Sequence, residues 1–235
     1  MTPIHFSGLV FILGAYGSGK SEISVQLAAL CAQKGVQVQL VDMDLVNPYF
    51  RTREARTVLF DLGVNVILPD KEYVNADLPV VSPNVLGVLR KPGELTIVDV
   101  GGDPAGATPV ASFKDVITDI KPEALMVINP YRPFTATVEN VLRMRMLLET
   151  ASGVKITGLI ANPNLLDDTT IETILEGAKT IDRMAEALQL TCWFIAVSET
   201  FRKDIAEDTF SYPVVWLKRH LVPPWLRPGK LDERI

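Results

Sequence analysis

Cysteine is nearly absent from this chain: only Cys31 and Cys192 occur, far apart and each inside an apolar run. Neither has a CxxC partner, which argues against a metal or redox centre built from this chain's thiolates. Both read as small buried apolar side chains in a reducing compartment. Histidine offers no more, since His5 carries no pattern and His220 lies in a basic, aromatic tail. Long apolar runs are also missing. Residues 8–14 (GLVFILG) are too few to span a bilayer and lack a basic flank before them. No targeting or transmembrane segment is expected, and a cytoplasmic location is. A surplus of positive charge is lacking too. The 23 basic and 28 acidic residues leave a net −5, a field that disfavours broad nucleic-acid binding.

What remains is an ordinary globular composition, 48% hydrophobic and 22% charged, in 235 residues. That length suffices for one α/β domain with a well-buried core. No repeat, low-complexity tract or linker marks a second domain. The expectation is a single domain over 1–235, with 214–235 as a C-terminal tail docked on it.

Apolar runs of strand length fall at 9–13, 37–41, 65–68, 95–100, 124–129, 155–161, 192–197 and 213–217. Their continuous Val/Ile/Leu content predicts burial on both faces, as in a parallel sheet. Between them lie segments with one apolar stripe at helical spacing. The clearest holds Ile171, Ile174, Leu175, Ala178, Ile181, Met184, Ala185 and Leu188, and Ile23, Leu27, Leu30 and Cys31 repeat the pattern. Such alternation predicts an α/β, doubly wound, mostly parallel sheet with helices on both faces. The stretch 70–92, with prolines at 79, 83 and 92, is less regular and reads as an insertion beside the active site.

The strongest motif is Gly14-Ala15-Tyr16-Gly17-Ser18-Gly19-Lys20-Ser21, which matches G-x-x-x-x-G-K-S/T. Glycines let the backbone curl so that successive N–H groups point inward at phosphate oxygens. Lys20 adds a point charge reaching the terminal phosphates, and the Ser21 hydroxyl can ligate Mg²⁺. The helix starting near Lys20 turns its positive end toward the same anion. A buried strand before and an amphipathic helix after supply the context the motif requires.

In a parallel sheet the carboxyl ends of strands line the ligand crevice. Asp42 and Asp44 follow the second strand and would emerge there, to hold Mg²⁺ through water or orient an attacking water; a turn or cap is the competing role. Asp99 closes the fourth apolar run and is placed to serve Mg²⁺. The Asp99-x-x-Gly102 spacing then offers a backbone N–H able to sense a γ-phosphate, in a glycine-rich loop that orders with triphosphate and relaxes after hydrolysis. Asp103 is the weaker candidate, as a turn cap. Two further strand ends carry Asn129-Pro130 and Asn162-Pro163-Asn164. Turn formation accounts for Asn129, which leaves Asn162 as the better base contact.

At these residues the sequence resembles the MinD/ParA/CobQ branch of P-loop NTPases, over nearly the whole chain from Gly14 to the strand at Pro213. The resemblance implies an ATP- and Mg²⁺-dependent hydrolase in which Asp44 positions the hydrolytic water, Ser21 and Asp99 serve Mg²⁺, and Asn162 touches adenine. Residues 42–51 (DMDLVNPYFR) are similar to uncharacterised bacterial nucleotide-binding members of the group. Most MinD/ParA proteins carry a second lysine after the first P-loop glycine, reaching across a dimer to the partner's nucleotide. Here that position is Ala15, so Arg51 or Arg53 would have to supply the charge to a nucleotide-dependent homodimer. Gly17-Ser18-Gly19-Lys20 is also similar to nickel-insertion GTPases and small-molecule kinases. The chain lacks the cysteine and histidine ligands of the former and their guanine-reading Asn-Lys-x-Asp, so ATP is favoured.

The tail from Trp216 to Arg227 mixes bulky apolar and basic residues. By analogy with MinD it could touch a membrane surface, but Pro223-Pro224 leaves too short an apolar face for firm binding. Docking of Trp216 and Trp225 back onto the domain is favoured. The leading functional expectation is an ATPase switch or assembly factor for a protein partner. The alternative is an ATP-dependent kinase or an amide-forming ligase of the dethiobiotin or cobyrinate synthetase type, with an acceptor pocket built from 68–92.

Overall fold

Each of the eight apolar runs forms a strand, because a segment apolar on both faces can satisfy its backbone only inside a covered sheet. The computed structural model describes residues 5–44, 59–68 and 83–218. The strands are β1 Gly8–Gly14, β2 Val38–Met43, β3 Asn65–Ile67, β4 Leu95–Val100, β5 Glu123–Ile128, β6 Gly158–Ala161, β7 Cys192–Ser198 and β8 Val214–Leu217. They lie in one sheet in the order β3-β2-β4-β1-β5-β6-β7-β8. Every neighbouring pair is parallel. The fold is that of an α/β P-loop NTPase, more uniform than the mostly parallel sheet expected.

The helices are α1 Lys20–Gln33, α2 Pro83–Arg90, α3 Pro104–Ala111, α4 Lys114–Ile120, α5 Val138–Ser152 and α6 Ile171–Leu188. Successive residues of β1 point to opposite faces, as the pleat dictates. Leu9, Phe11 and Leu13 enter a core shared with α2 through α6. Val10 and Ile12 enter a second core, shared with α1. Helices do cover both faces, with α2 through α6 on the first core and, among the described residues, α1 and the helical segment 59–61 that carries Leu59 on the second.

That imbalance corrects the reading of α1 as a helix with one stripe. Ser24, Val25, Gln26, Ala28 and Ala29 are buried along with Ile23 and Leu27. The helix is enclosed rather than laid on a surface, and Gln26 Oε1 accepts the backbone N–H of Lys218 at 3.0 Å just past β8. Helix α6 behaves as expected, burying Ile174, Ala178, Ile181, Met184 and Leu188. A Thr170–Thr173 capping box starts it and a left-handed Gln189 ends it. Truncating one such buried residue, Ile181→Ala, would cost about 2–5 kcal/mol.

Of the less regular stretch 70–92, residues 70–82 lie outside the described residues, and in the remainder Pro83 opens α2, where proline at the first helical position costs no hydrogen bond. One local expectation is corrected. Strand β6 begins at Gly158 rather than 155. The preceding chain is drawn off by side chains: Ile156 N–H donates to Glu149 Oε1 at 2.9 Å, and Thr157 Oγ1 to Glu123 Oε2 at 2.6 Å. Burial also pushes the Cys192 thiol up to about 12, in keeping with an inert apolar role. Trp216 lies in β8, with Arg202 5.8 Å above its ring. Arg51, Arg53, His220 and Trp225 lie outside the described residues.

The order of strands decides where a ligand can sit. The chain leaves β1 for β2 on one side, returns to β4, then crosses β1 to β5. The winding reverses at β1, and in open parallel sheets a crevice opens at the carboxyl ends beside such a reversal.

Candidate functional site

Strand β1 ends at Gly14, and Ala15–Gly19 carry the chain from it into α1. Gly17 and Gly19 have φ of 74° and 96°, the left-handed region in which a side chain is strained. At Gly19 a Cβ would also run into the Asn162 amide nitrogen. The loop curls back so that Lys20 Nζ donates to the Ala15 carbonyl at 3.2 Å. Lys20 is only 1% exposed, and an ammonium held so deeply needs acceptors and negative charge around it. Ser21 is buried beside it. The Ser18 hydroxyl is fully buried and has no hydrogen-bond partner among the described residues, which costs free energy that an incoming acceptor would recover.

The acidic positions converge as the parallel register requires. Asp42 on β2 pairs with Asp99 on β4, both one residue short of their strand ends. Asp99 is 1% exposed and Asp44 9%. Asp44 N–H donates to Asp42 Oδ1 at 3.0 Å, forming the turn that carries Asp44 past the strand. Ser21, Asp44 and Asp99 each carry a hard oxygen donor of the kind that suits Mg²⁺. Among the described residues no group of three His, Cys, Asp or Glu forms a dedicated metal cluster. A magnesium ion shared with a bound polyphosphate would need fewer protein ligands.

After β4 the chain folds directly over the P-loop. A Cβ on Gly102 would lie 2.9 Å from Lys20 Nζ and 2.9 Å from Tyr16 Cα. Only a glycine fits there, which places the Gly102 backbone close against Lys20 and Tyr16. Asp103 caps α3 by accepting the Gly106 N–H at 2.6 Å.

Asn162 sits beneath the loop, where Nδ2 donates to the Ser18 carbonyl at 2.6 Å. Its Oδ1 is buried without a partner among the described residues. Asn129 is structural: Oδ1 accepts the Tyr131 N–H at 3.1 Å and Nδ2 donates to the Asn164 carbonyl at 2.8 Å.

The sequence reading missed Arg132. Its Nε donates to the Gly17 carbonyl at 3.1 Å, from the loop that follows β5. The signal that could have found it was position alone, a basic residue four places beyond a strand that flanks β1. Also missed was a cavity of about 470 Å³ lined by Tyr16, Gly102, Pro104, Phe134, Arg143 and Met144.

A family model for the CobQ/CobB/MinD/ParA nucleotide binding domain matches residues 10–204. The chain belongs to this family. As a CobQ/CobB/MinD/ParA member it carries a P-loop nucleotide-binding domain, and its fold is shared with solved P-loop proteins. Cell division protein FtsY from Thermotoga maritima matches at 24% identity with a TM-score of 0.56, over 83% of this chain and 63% of that one. The signal recognition particle receptor FtsY from Elizabethkingia anophelis, solved with GDP, matches at 17% identity and TM-score 0.54, over 84% and 59%. The signal recognition particle 54 kDa protein from Aeropyrum pernix, also solved with GDP, matches at 19% identity and TM-score 0.53, over 82% and 42%. The chain thus spans less than two thirds of each of these proteins. No match was found among curated proteins. Among the described residues no helix is long and apolar enough to cross a membrane.

Proposed function

We propose that this family member is a Mg²⁺-dependent, cytoplasmic ATPase that works as a conformational switch or assembly factor for a protein partner. The observation that carries the reading is the contact of Gly102 with Lys20 and Tyr16. A backbone that touches the phosphate-binding lysine must respond to whether a terminal phosphate occupies the loop. The Asp103 cap transmits that response to α3. In this reading the glycines and N–H groups of Gly14–Gly19 bind the polyphosphate, and Lys20 neutralises its terminal charge. Asp44 orients the attacking water. Ser21 and Asp99 would hold Mg²⁺, which supplies further charge neutralisation when bound.

The base preference rests on Asn162. Its amide nitrogen is committed to Ser18, which leaves a buried carbonyl oxygen as the acceptor. An acceptor suits the exocyclic amino group of adenine better than the carbonyl at the equivalent place in guanine. The absence of an Asn-Lys-x-Asp sequence points the same way, whereas two of the structural relatives were solved with GDP.

Phosphate release from ATP and GTP, with and without Mg²⁺ and with no acceptor present, tests the reading. Slow release from ATP that requires Mg²⁺ is expected. Substituting Asp44→Ala should leave ATP binding within a few-fold and lower turnover by about 10²–10⁴. Full turnover in that variant would send the role elsewhere. The cavity beside Gly102 favours a second reading, a kinase or amide-forming ligase. It adjoins the phosphate-binding loop, is largely apolar, and includes one cation, Arg143. ADP formation that appears only with an added acceptor would select it.

A further inference from the structure

Three separate parts of the fold meet the segment Ala15–Gly17. Lys20 Nζ bonds the Ala15 carbonyl, Gly102 presses on Tyr16, and Arg132 Nε bonds the Gly17 carbonyl. The first two are the groups that address the terminal phosphate in the reading above. Arg132 shares their location but has been given no role.

The arginine is held by a rigid loop. Arg132 N–H and Thr135 Oγ1 both donate to the Asn129 carbonyl, at 3.1 and 2.7 Å. The Asn129 side chain ties the loop to Tyr131 and to Asn164. The Tyr131 hydroxyl donates to the Thr173 carbonyl at the start of α6. Pro133 fixes the next dihedral and opens a short 3₁₀ turn. Asn129 and Tyr131 therefore tie the loop to Asn164 and to α6, and Arg132 points from that frame onto the P-loop.

Its guanidinium lies flat along the loop. A Cβ on Gly17 would stand 3.4 Å from Nε, 3.6 Å from Cζ and 3.7 Å from Cδ. The bond to Gly17 uses one of the five N–H donors. Arg132 makes no ion pair with any carboxylate among the described residues, and no other arginine there bonds the P-loop. A half-buried arginine fixed through Nε, with both terminal nitrogens unspent, is a fork prepared for an anion. If bracing were its only task, a neutral donor would serve at lower desolvation cost.

We propose that Arg132 contacts the terminal phosphates of a bound nucleoside triphosphate and supplies, within one chain, a second cation beside Lys20. This rests on the triphosphate reading above. In hydrolysis, water oxygen bonds to the γ-phosphorus, the bond to the β–γ bridging oxygen breaks, ADP leaves with that electron pair, and the water's proton passes to solvent. Charge grows on the bridging and γ oxygens. A guanidinium already oriented there stabilises that charge without reorganising at the moment of reaction. Ala15 brings no charge to the same segment, and the cation enters from the loop after β5.

The test compares wild type, Arg132→Ala and Arg132→Lys for binding of ADP and of a non-hydrolysable ATP analogue, and for phosphate release. Loss of the contact should weaken the analogue at least tenfold and ADP by less than about threefold, and lower turnover by about 10²–10³. Millimolar guanidinium should restore part of the turnover of Arg132→Ala and none to wild type. Arg132→Lys keeps the charge without the fork and should fall between the two, which covers the case in which the alanine variant folds poorly. Equal losses for ADP and the analogue, or unchanged turnover, would overturn the proposal and leave Arg132 a brace for the loop. Wild type that binds neither nucleotide, matching Lys20→Ala, would instead overturn the triphosphate reading beneath it.

Discussion

Two loops meet at the carboxyl end of β1, and they are shaped by opposite means. The P-loop takes its curvature from glycine: positive φ at Gly17 and Gly19, and no room for a side chain at Gly19. The loop after β5 has no glycine from Asn129 to Thr137 and is shaped by side chains bonding to main chain. The first is set locally by the residues that compose it. The second exists only because Asn164 and, on α6, Thr173 present carbonyls at the right places. A functional group on the first loop is visible as a motif, whereas one on the second is a lone arginine with no pattern around it.

The contrast can be broken from either side. The largest effect is expected for Lys20→Ala, which removes the buried ammonium. ATP affinity should fall about 100-fold, equivalent to ~3 kcal/mol, by calorimetry. Unchanged affinity would mean that the glycine-built loop grips no phosphate. Gly19→Ala comes next. It forces a side chain into the left-handed region and against Asn162, at a cost of about 2–3 kcal/mol, seen as a lower denaturant midpoint together with weakened ATP binding. A neutral result would show that the loop rearranges freely and is not built in advance.

Asn129→Ala probes the other loop. It deletes the hydrogen bonds to Tyr131 and Asn164 and should cost about 1–3 kcal/mol in stability. Turnover should fall more than ADP affinity, since it is Arg132 that loses its frame. A turnover loss no greater than the affinity loss would detach the loop from the chemistry. The smallest expected effect is Tyr131→Phe, which removes only the hydroxyl bond to Thr173. About 1 kcal/mol of stability should be lost, with little change in nucleotide binding.

The same division separates what the residues show locally from what they do not. Lys155 and Ile156 suit a strand, yet β6 begins three residues later than that pattern predicts because Glu149 on α5 claims the Ile156 N–H. Helix α1 looked amphipathic because its Ile and Leu spacing is helical. Burial of Ser24 and Gln26 depends on neighbours that no local pattern encodes. Asn162 was legible as a residue of interest, but its bond to the Ser18 carbonyl, 144 residues away in sequence, was not.

Residue types and spacing alone determined that eight apolar segments pair as a parallel sheet and that residues 14–21 form a curled, glycine-shaped turn between β1 and α1. Each of those outcomes depends on dihedral preference and on hydrophobic periodicity within a few residues. Tertiary structure alone decided that Gly102 rests on Lys20, that one sheet face carries most of the described helices, and that Arg132 reaches the P-loop from β5. Those contacts join segments far apart in the chain, and only the folded backbone brings them within bonding distance.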